Sequence, residues 1–499
     1  MRYAERKRLW PKLVAYHADI AGYKTWTDRV IPVVISRTHR LTTNRGFVRA
    51  LDPDASMVLA MARIVGVLFA ALLTASATAR AGNSEDVVAG SDVALTGGAV
   101  VANVHSGGAM WFNPAGVARL DGRSVDLTGA VLSYNIVSAP GAISLETGEL
   151  SAGDFSAVQA IPRALTFVAS PRPVLRWGLG FFFTRSLSQF LQDSVAPDAP
   201  AVVPSEFYAT TDETKSLYHV SSTVAWKKSE QFLLGGSFDI VIATQRLTET
   251  VSGGFLGGTG GTFNRSLNKA LSGGGLQIKG GLQWAPRPEV RIGWMAATPS
   301  YLVYLNEEST ATQQIAPPAG TPRYNGTQID ELRGTWTGAE RGLTRIGSAY
   351  LGRWGWVELD VVIGFPLESP ELDIRWHTTA NVRLGSVVKV TDKLKIGAGF
   401  FTDFSPEYGP NEFGETEIDY YGFTIGVDFA NRENPPERGE DGFYLAFAVA
   451  FRYAHGRGKL AGLLFPETFP DPPAQPGTFN LVDVTVNEFG VNLAVKAGF

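Results

Sequence analysis

Apolar and polar residues alternate along many stretches of the chain after about residue 120. From 489 to 499, apolar side chains take every second position, and Gly, Asn, Ala and Lys stand between them. Residues 443–454 and 276–284 repeat the arrangement. A period of two places successive side chains on opposite faces of a β-strand. These stretches therefore predict strands with one bulky apolar face and one small, polar or charged face.

The alternation predicts fourteen strands, an even number, as bacterial transmembrane barrels have. Several are long enough, at about 10 residues, to cross a bilayer at a tilt. A soluble β-sandwich also alternates, but small residues on the polar face suit a lumen, and aromatic residues near strand ends suit a membrane girdle (Trp226, Trp284, Trp354, Trp376 and Tyr453). The predicted strands are 123–137, 164–170, 174–187, 215–228, 231–245, 276–286, 289–298, 343–353, 355–365, 374–390, 393–404, 416–429, 441–454 and 486–499.

The predicted connections alternate in length. Short turns such as 171–173, 228–230 and 286–288 alternate with longer segments, which include 188–214, 246–275, 299–342 and 455–485. Outer-membrane barrels have short turns on the periplasmic rim and long loops on the external rim. The fold class we predict is all-β: a 14-stranded antiparallel transmembrane β-barrel over 123–499.

Composition agrees with an exported membrane protein. Only 18% of the residues are charged, the formal net charge is -4, and there is no cysteine. Nothing in this balance indicates a nucleic-acid partner, and the absence of cysteine excludes thiol chemistry and Cys-ligated metals.

The region before the barrel contains an export signal. Arg63, the apolar run 64–73 and the small residues that end at Ala81 have the order of a signal peptide, which we assign to 57–81. Residues 1–56 are then either an incorrectly assigned stretch ahead of the true start or a disordered extension. We therefore expect export to the bacterial outer membrane.

Residues 82–122 are rich in small side chains and do not alternate. Within them Asn113, Pro114 and Ala115 form a compact motif, in which Asn before Pro predicts a turn and the start of a short helix. We predict a small hatch, a short helical or irregular plug that folds back into the lumen.

The chain resembles the FadL-type outer-membrane transporters of long-chain fatty acids and other hydrocarbons. The resemblance rests on the small-residue N-terminal segment, the run 111–116 (Trp-Phe-Asn-Pro-Ala-Gly) within it, and the fourteen predicted strands. The resemblance covers 82–499. It implies that Asn113, Pro114 and Ala115 hold the hatch, that hatch movement admits a hydrophobic substrate, and that the substrate leaves sideways through the wall. It also implies external capture between the loops 246–275 and 299–342.

Apolar residues of these two loops are candidates for ligand binding, although ordinary loop packing would also explain them: Phe255, Leu256, Phe263, Tyr301, Leu302 and Tyr304. Basic residues on the predicted lumen face would pair with a fatty carboxylate or with one another: Lys279, Arg291, Arg383 and Arg452. Hydrophobic small molecules are thus the expected ligands.

Catalytic patterns are absent from the sequence. None of the six His residues has metal-ligand spacing, and no phosphate-cradling or nucleophile-elbow motif occurs in the mature chain. We expect that the protein is not an enzyme and that it binds no metal and no cofactor. Two alternatives to a transporter stay open: a general diffusion porin, and a barrel with a structural or secretion-associated role.

The last residue, Phe499, ends the fourteenth predicted strand. A C-terminal aromatic residue in this position is typical of barrels that the outer-membrane assembly machinery inserts, so we expect Phe499 to serve as the assembly signal. The other expected contact is outer-membrane lipid, and we expect a monomer.

Overall fold

The computed structural model describes residues 87–120, 122–146, 148–196, 207–255, 261–316, 324–372, 374–410, 413–432, 442–465 and 478–499. The predicted extension 1–56 and the predicted signal peptide 57–81 lie outside the described residues. Within the described ranges, no helix has the length and apolar character to cross a membrane.

Short helices come first in the described chain, and strands make up most of the rest. Helices α1 (Ser91–Thr96) and α2 (Ala109–Phe112) and a 3-10 helix (Pro114–Arg119) precede the first strand, and a second 3-10 turn spans Pro370–Leu372. The strands are β1 (Ser124–Ser138), β2 (Ile143–Leu145), β3 (Asp154–Arg172), β4 (Leu175–Val195), β5 (Phe207–Lys227), β6 (Phe232–Phe255), β7 (Gly261–Arg287), β8 (Val290–Ala297), β9 (Ser300–Ala316), β10 (Tyr324–Gly334), β11 (Thr337–Glu340), β12 (Leu343–Gly352), β13 (Gly355–Gly364), β14 (Leu367–Ser369), β15 (Ile374–Trp376), β16 (Thr379–Lys389), β17 (Leu394–Asp403), β18 (Thr416–Ala430), β19 (Tyr444–Phe465) and β20 (Thr478–Gly498).

Antiparallel pairing closes these strands into a ring. Each wall strand pairs with the next wall strand along the chain, and β1 pairs with β20 to close the circle. Two wall strands are each divided into shorter strands. β8 and β9 both pair with β7 and together form one wall strand. β12, which pairs with β8, and β10 and β11, which pair with β9, together form the next. The predicted fourteen-stranded antiparallel barrel is confirmed.

The outer surface of the barrel is apolar and its inner surface is polar. In β18 the exposed side chains Phe423, Ile425 and Val427 alternate with inward positions that include Thr424 and the buried Asp428. A soluble protein rarely exposes so large a contiguous apolar surface. An apolar exterior around a polar lumen is the surface of a transmembrane barrel.

The long connections are the part of the fold that the sequence predicted wrongly. Most of 188–214, 246–275, 299–342 and 455–485 is strand, because β4 to β7, β9, β10, β19 and β20 continue far beyond the apolar band. Above a membrane both faces of a strand meet water or other protein, so the apolar alternation fades while backbone pairing continues. Short turns still mark one rim, here the short-turn rim, and the extended strands mark the opposite, long-connection rim.

The aromatic residues only partly form a girdle. Trp226, Trp284 and Trp354 are exposed near the short-turn rim, as the sequence predicts. Trp376 is buried instead, in the small sheet that β14 and β15 form beyond β13. Trp376 does lie at the end of a strand, but this strand, β15, pairs with β14 and is not part of the barrel wall.

Candidate functional site

Residues 87–120, which belong to the segment predicted to form the hatch, lie inside the barrel, and we call them the plug. All of them are buried except Ser91, Gly97, His105 and Arg119. Helix α1 packs against β16 to β20, and the 3-10 helix packs against β4 to β7 on the other side. The plug therefore lies across the lumen and touches much of its circumference.

Asn113 links parts of the plug to each other and to the wall. Its Oδ1 accepts a hydrogen bond from the backbone nitrogen of Ala115 at 3.2 Å, which caps the 3-10 helix. Its Nδ2 donates to the carbonyl of Val101 at 2.8 Å and to the carbonyl of Leu282, on β7, at 3.0 Å. All the hydrogen-bonding atoms of the amide thus have partners, and Pro114 occupies the first helical position, where its missing N–H costs nothing.

Carboxylates of the wall bind the backbone of the plug. Asp360 on β13 accepts from the nitrogens of Val100 and Val101, and Glu358 accepts from that of Ala102. On the opposite side, Asp126 of β1 accepts from the nitrogen of Gly107 at 2.8 Å. These residues were not among those predicted from the sequence, although two acids at alternate positions of the apolar strand 355–365 indicate an inward polar face.

Glycines of the wall make room for the plug. A Cβ atom on Gly281 would overlap Oδ1 of Asn113, and one on Gly235 would overlap the backbone of Pro114 and Ala115. The same holds for other inward glycines, which face plug atoms: Gly178, Gly293, Gly385, Gly397 and Gly399. The small residues on the inner face therefore serve close packing between wall and plug.

A buried ionic network lies beside the plug residue Trp111. Lys279 Nζ is 2.6 Å from Asp239 Oδ2, and the ring nitrogens of His219 lie 3.2 Å from Asp239 and 2.9 Å from Glu340. Lys279 also stands over the Trp111 ring, 3.4 Å from its centroid. The predicted lumen charge Lys279 is thus part of a network that joins four strands, β5, β6, β7 and β11, and contacts the plug.

The other three predicted lumen charges also have partners. Arg291 donates to Asn103 of the plug. Arg383 lies 5.9 Å from the ring centroid of Phe112, again in the plug. Arg452 pairs with Glu488 at 2.9 Å on the neighbouring strand. These bases pair within the wall or contact the plug.

The candidate ligand-binding residues are not brought together. Phe263 is buried inside the barrel, whereas Tyr301 and Tyr304 are exposed on its outer surface. Leu302 is buried in a separate inner cluster with Leu305. Leu256 and the side chain of Phe255 lie outside the described residues.

Phe263 belongs to an apolar cluster at the long-connection rim that sequence reasoning did not assemble. Its ring centroid lies 6.5 Å from that of Phe207 and 5.7 Å from that of Phe465, from strands far apart in sequence. The segment between β1 and β3 folds inward onto this cluster, where β2 pairs in parallel with Leu463–Phe465. We call these three rings and their buried neighbours the upper cluster.

The wall ladder is interrupted between β3 and β4. The two strands pair only from Ala164↔Phe182 down to Arg172↔Leu175. Beyond this point residues 154–162 of β3 pair only with β1, and β4 pairs only with β5 among the described residues. Phe182 is the last residue of β4 that pairs with β3, and its ring centroid lies 5.5 Å from that of Trp111 in the plug. The interruption therefore begins where the plug touches the wall.

Phe499 lies at the seam of the ring. Its backbone nitrogen donates to the carbonyl of Arg123 at 2.9 Å, and its carbonyl accepts from the nitrogen of Arg123 at 3.2 Å. The side chain is half exposed, at 50%. This residue therefore extends the pairing of β1 with β20 by one position.

The sequence matches no protein-family model and no curated protein. Solved structures share its fold. A Pseudomonas aeruginosa FadL homologue superposes with a TM-score of 0.55 at 13% identity, over 84% of this chain and 100% of that one. The toluene transporter TodX of P. putida gives 0.51 at 13% identity, over 82% and 98% of the two chains. A TodX deltaS2S3 mutant, a monoaromatic hydrocarbon channel, gives 0.53 at 14%, over 82% and 99%.

Proposed function

We propose that the protein is a passive outer-membrane channel for hydrophobic compounds, either long-chain fatty acids or smaller hydrocarbons. The observation that carries this proposal is the interrupted ladder between β3 and β4 at the place where Trp111 of the plug contacts Phe182. Support comes from the shared fold, since the similar structures are a FadL homologue and a toluene transporter.

Entry begins at the upper cluster. The rings of Phe207, Phe263 and Phe465 are packed together and buried inside the long-connection rim, so a ligand enters by displacing part of this contact. An apolar ligand gains about 0.8 kcal/mol for each CH₂ group removed from water, so a chain or an aromatic ring would be captured without any charged partner.

Exit is sideways. A hydrocarbon that crosses the periplasm must return to water, whereas one that leaves through the wall passes directly into the bilayer. Between β3 and β4 this path breaks no backbone ladder hydrogen bond among the described residues, because residues 154–162 pair with β1 and not with β4. The hydrogen bond from the nitrogen of Gly153 to Asp193 lies beyond the path, near the outer end of β4. Trp111 lies at the base of the path, and the plug must shift for the lumen to reach it.

A disulfide lock tests plug movement. The chain has no cysteine, so an engineered pair is the only one. A Cβ on Gly385 would lie 3.0 Å from Cβ of Ala99 and 2.5 Å from Cβ of Thr96, both in the plug. The shift that relieves this overlap brings the first pair to the roughly 3.5–4.5 Å of a disulfide, and Gly385→Cys alone measures the effect of the crowding without a disulfide. We expect Ala99→Cys with Gly385→Cys to block uptake of labelled toluene and of a labelled C16 fatty acid when oxidised, and to recover on reduction.

The matched control is a disulfide between two neighbouring wall strands. Ala448 and Ala494 are paired, buried positions on β19 and β20, so Ala448→Cys with Ala494→Cys forms a disulfide that leaves the plug free. Equal uptake by the oxidised and reduced plug lock would disprove plug movement. Strong ion conductance by the unmodified protein would indicate a diffusion porin, and unchanged uptake in a strain without the protein would favour a secretion-associated role.

A further inference from the structure

A second cavity lies on the other side of the plug, at the short-turn rim. It has a volume of about 660 Å³ and is roofed by plug residues that include Ser91, His105 and Arg119. Its walls include Arg353 in the turn after β12, Lys395 at the start of β17 and Lys496 near the end of β20. The upper cluster and the wall interruption contribute none of its lining residues, so the cavity is separate from the proposed transport path.

The cavity carries an excess of positive charge. Five bases line it, Arg119, Arg353, Lys389, Lys395 and Lys496, against the two acids Asp92 and Asp428. Lys389 is paired with Asp392 at 3.2 Å, which leaves four bases for the two acids. Both acids accept hydrogen bonds from plug residues, while Oδ1 of Asp428, which lies opposite Lys395 in the β17–β18 ladder, has no hydrogen-bond partner. Asp92 accepts from the hydroxyl of Ser106 at 2.5 Å and from two backbone nitrogens, and Asp428 accepts from the hydroxyl of Ser91 at 3.3 Å.

Several of the basic donors are still available. The buried Nη2 of Arg119 has no hydrogen-bond partner, although its Nε donates to Gln283 at 2.9 Å. Lys395 makes no ion pair within the described part of the chain. Lys496 donates to the carbonyl of His105 at 2.7 Å and has two further N–H groups.

His105 reports the same positive field. Its ring borders the cavity and is exposed to it, yet the barrel removes it from bulk solvent. This desolvation, followed by the positive charges of Arg291, Lys395, Arg119 and Lys496, lowers the pKa of His105 well below its usual value. Three of the lining bases, Arg119, Lys395 and Lys496, thus act on His105 together.

Apolar side chains line the cavity beside the cations: Leu95 and Leu120 of the plug, and Leu351, Trp356 and Val387 of the wall. Cations next to apolar groups match an anion with a hydrophobic body, and the volume is within the roughly 300–1,000 Å³ of small-molecule sites. We propose that this cavity is a binding site for a periplasmic organic anion that carries a carboxylate or a phosphate group on an apolar body.

Calorimetry on the full chain in zwitterionic-lipid nanodiscs tests the site, with empty nanodiscs as the blank. The probes are 1-naphthoate, 1-naphthyl phosphate and the neutral isostere 1-naphthalenemethanol. We expect an acid to bind and the alcohol to bind at least tenfold more weakly. Comparison of the two acids shows which anionic group the site prefers.

Charge variants locate the binding. Lys395→Gln and Arg119→Gln should each weaken the preferred acid about fivefold or more, because each removes a charge-assisted hydrogen bond. Lys393→Gln removes the same charge two residues away in an exposed turn that does not line the cavity, and it should leave the affinity unchanged. Higher salt should weaken binding to the unmodified protein.

Equal affinities in the Lys395 and Lys393 variants, or equal binding of acid and alcohol, would overturn the proposal, as would the absence of heat with either acid. The binding does not require that the barrel transport anything. Loss of hydrocarbon uptake and loss of anion binding are therefore separate outcomes, each measured in its own assay.

Discussion

Asp360 Oδ2 lies 2.7 Å from the backbone nitrogen of Val100, and the two residues are 260 positions apart in the chain. The same oxygen accepts from Val101 at 3.0 Å, and Glu358 accepts from Ala102 at 2.5 Å. The stretch after α1 is irregular, so its N–H groups have no helix or sheet to satisfy them. Two wall carboxylates supply the acceptors that buried backbone requires.

Removal of these carboxylates should release the plug. Asp360→Ala with Glu358→Ala would leave three buried N–H groups unpaired, at about 1–3 kcal/mol each. We expect a barrel that still folds, while its conductance in planar bilayers rises and protease cleaves the plug faster. Asp392→Ala with Glu230→Ala removes two carboxylates from exposed turns and is the charge-matched control. If the double variant has the conductance and the protease resistance of the wild type, the two carboxylates do not hold the plug.

Lys279 and Asp239 should show strong energetic coupling. Their atoms lie 2.6 Å apart, and both side chains are almost fully buried. Removal of one partner leaves a buried charge uncompensated, which costs about 3–5 kcal/mol. We therefore expect Lys279→Met and Asp239→Leu each to destabilise the barrel strongly in urea unfolding from lipid vesicles, and the double variant to be more stable than either.

The double variant also separates two explanations. Simple additivity of the two single changes would show that His219 and Glu340, the other members of the network, compensate for either loss. A double variant close to wild type would show instead that the ion pair contributes little net stability.

The barrel wall was predictable because its signal is local. The alternation of Ile278, exposed, with Lys279, buried, is visible in two adjacent letters, and it holds in the structure. The cap at Asn113 is also local, since Asn-Pro specifies its own turn. Both follow from residues that are neighbours in the chain.

The site itself is non-local. Which inward residue meets the plug depends on how the ring closes, so the contact of Asp360 with Val100 has no sequence signature. The same is true of Phe207, Phe263 and Phe465, which meet only after β5, β7 and β19 extend past the membrane. Loops were predicted for these extensions because their polar residues mask the alternation of apolar and polar positions.

Two adjacent glycines on β7 allow a direct test of wall-to-plug packing. A Cβ on Gly281 would overlap Asn113, whereas one on Gly280, on the opposite face, would have nothing within 4 Å. Gly281→Ala should therefore displace the plug and raise conductance, and Gly280→Ala should behave as wild type. If the two variants conduct alike, the plug does not pack as closely as the structure indicates.

The apolar capture site can be tested with two aromatic residues from the same pair of long connections. Phe263 is buried in the upper cluster, and Tyr304 is 57% exposed on the outer surface. Full burial of an apolar side chain of this size contributes about 1.5–3 kcal/mol, and loss of part of this contact should raise the half-saturating concentration for hydrocarbon uptake roughly tenfold. Phe263→Ala should show this increase, and Tyr304→Ala should not.

Phe263→Leu guards against a trivial loss of structure. Leucine keeps most of the apolar volume, so this variant should assemble normally and fall between wild type and Phe263→Ala in uptake. A larger effect of Tyr304→Ala than of Phe263→Ala would place capture on the outer face of β9, where Tyr304 pairs with Gly274 of β7. In that case the ligand would enter from the membrane side, and the upper cluster would serve only to seal the lumen.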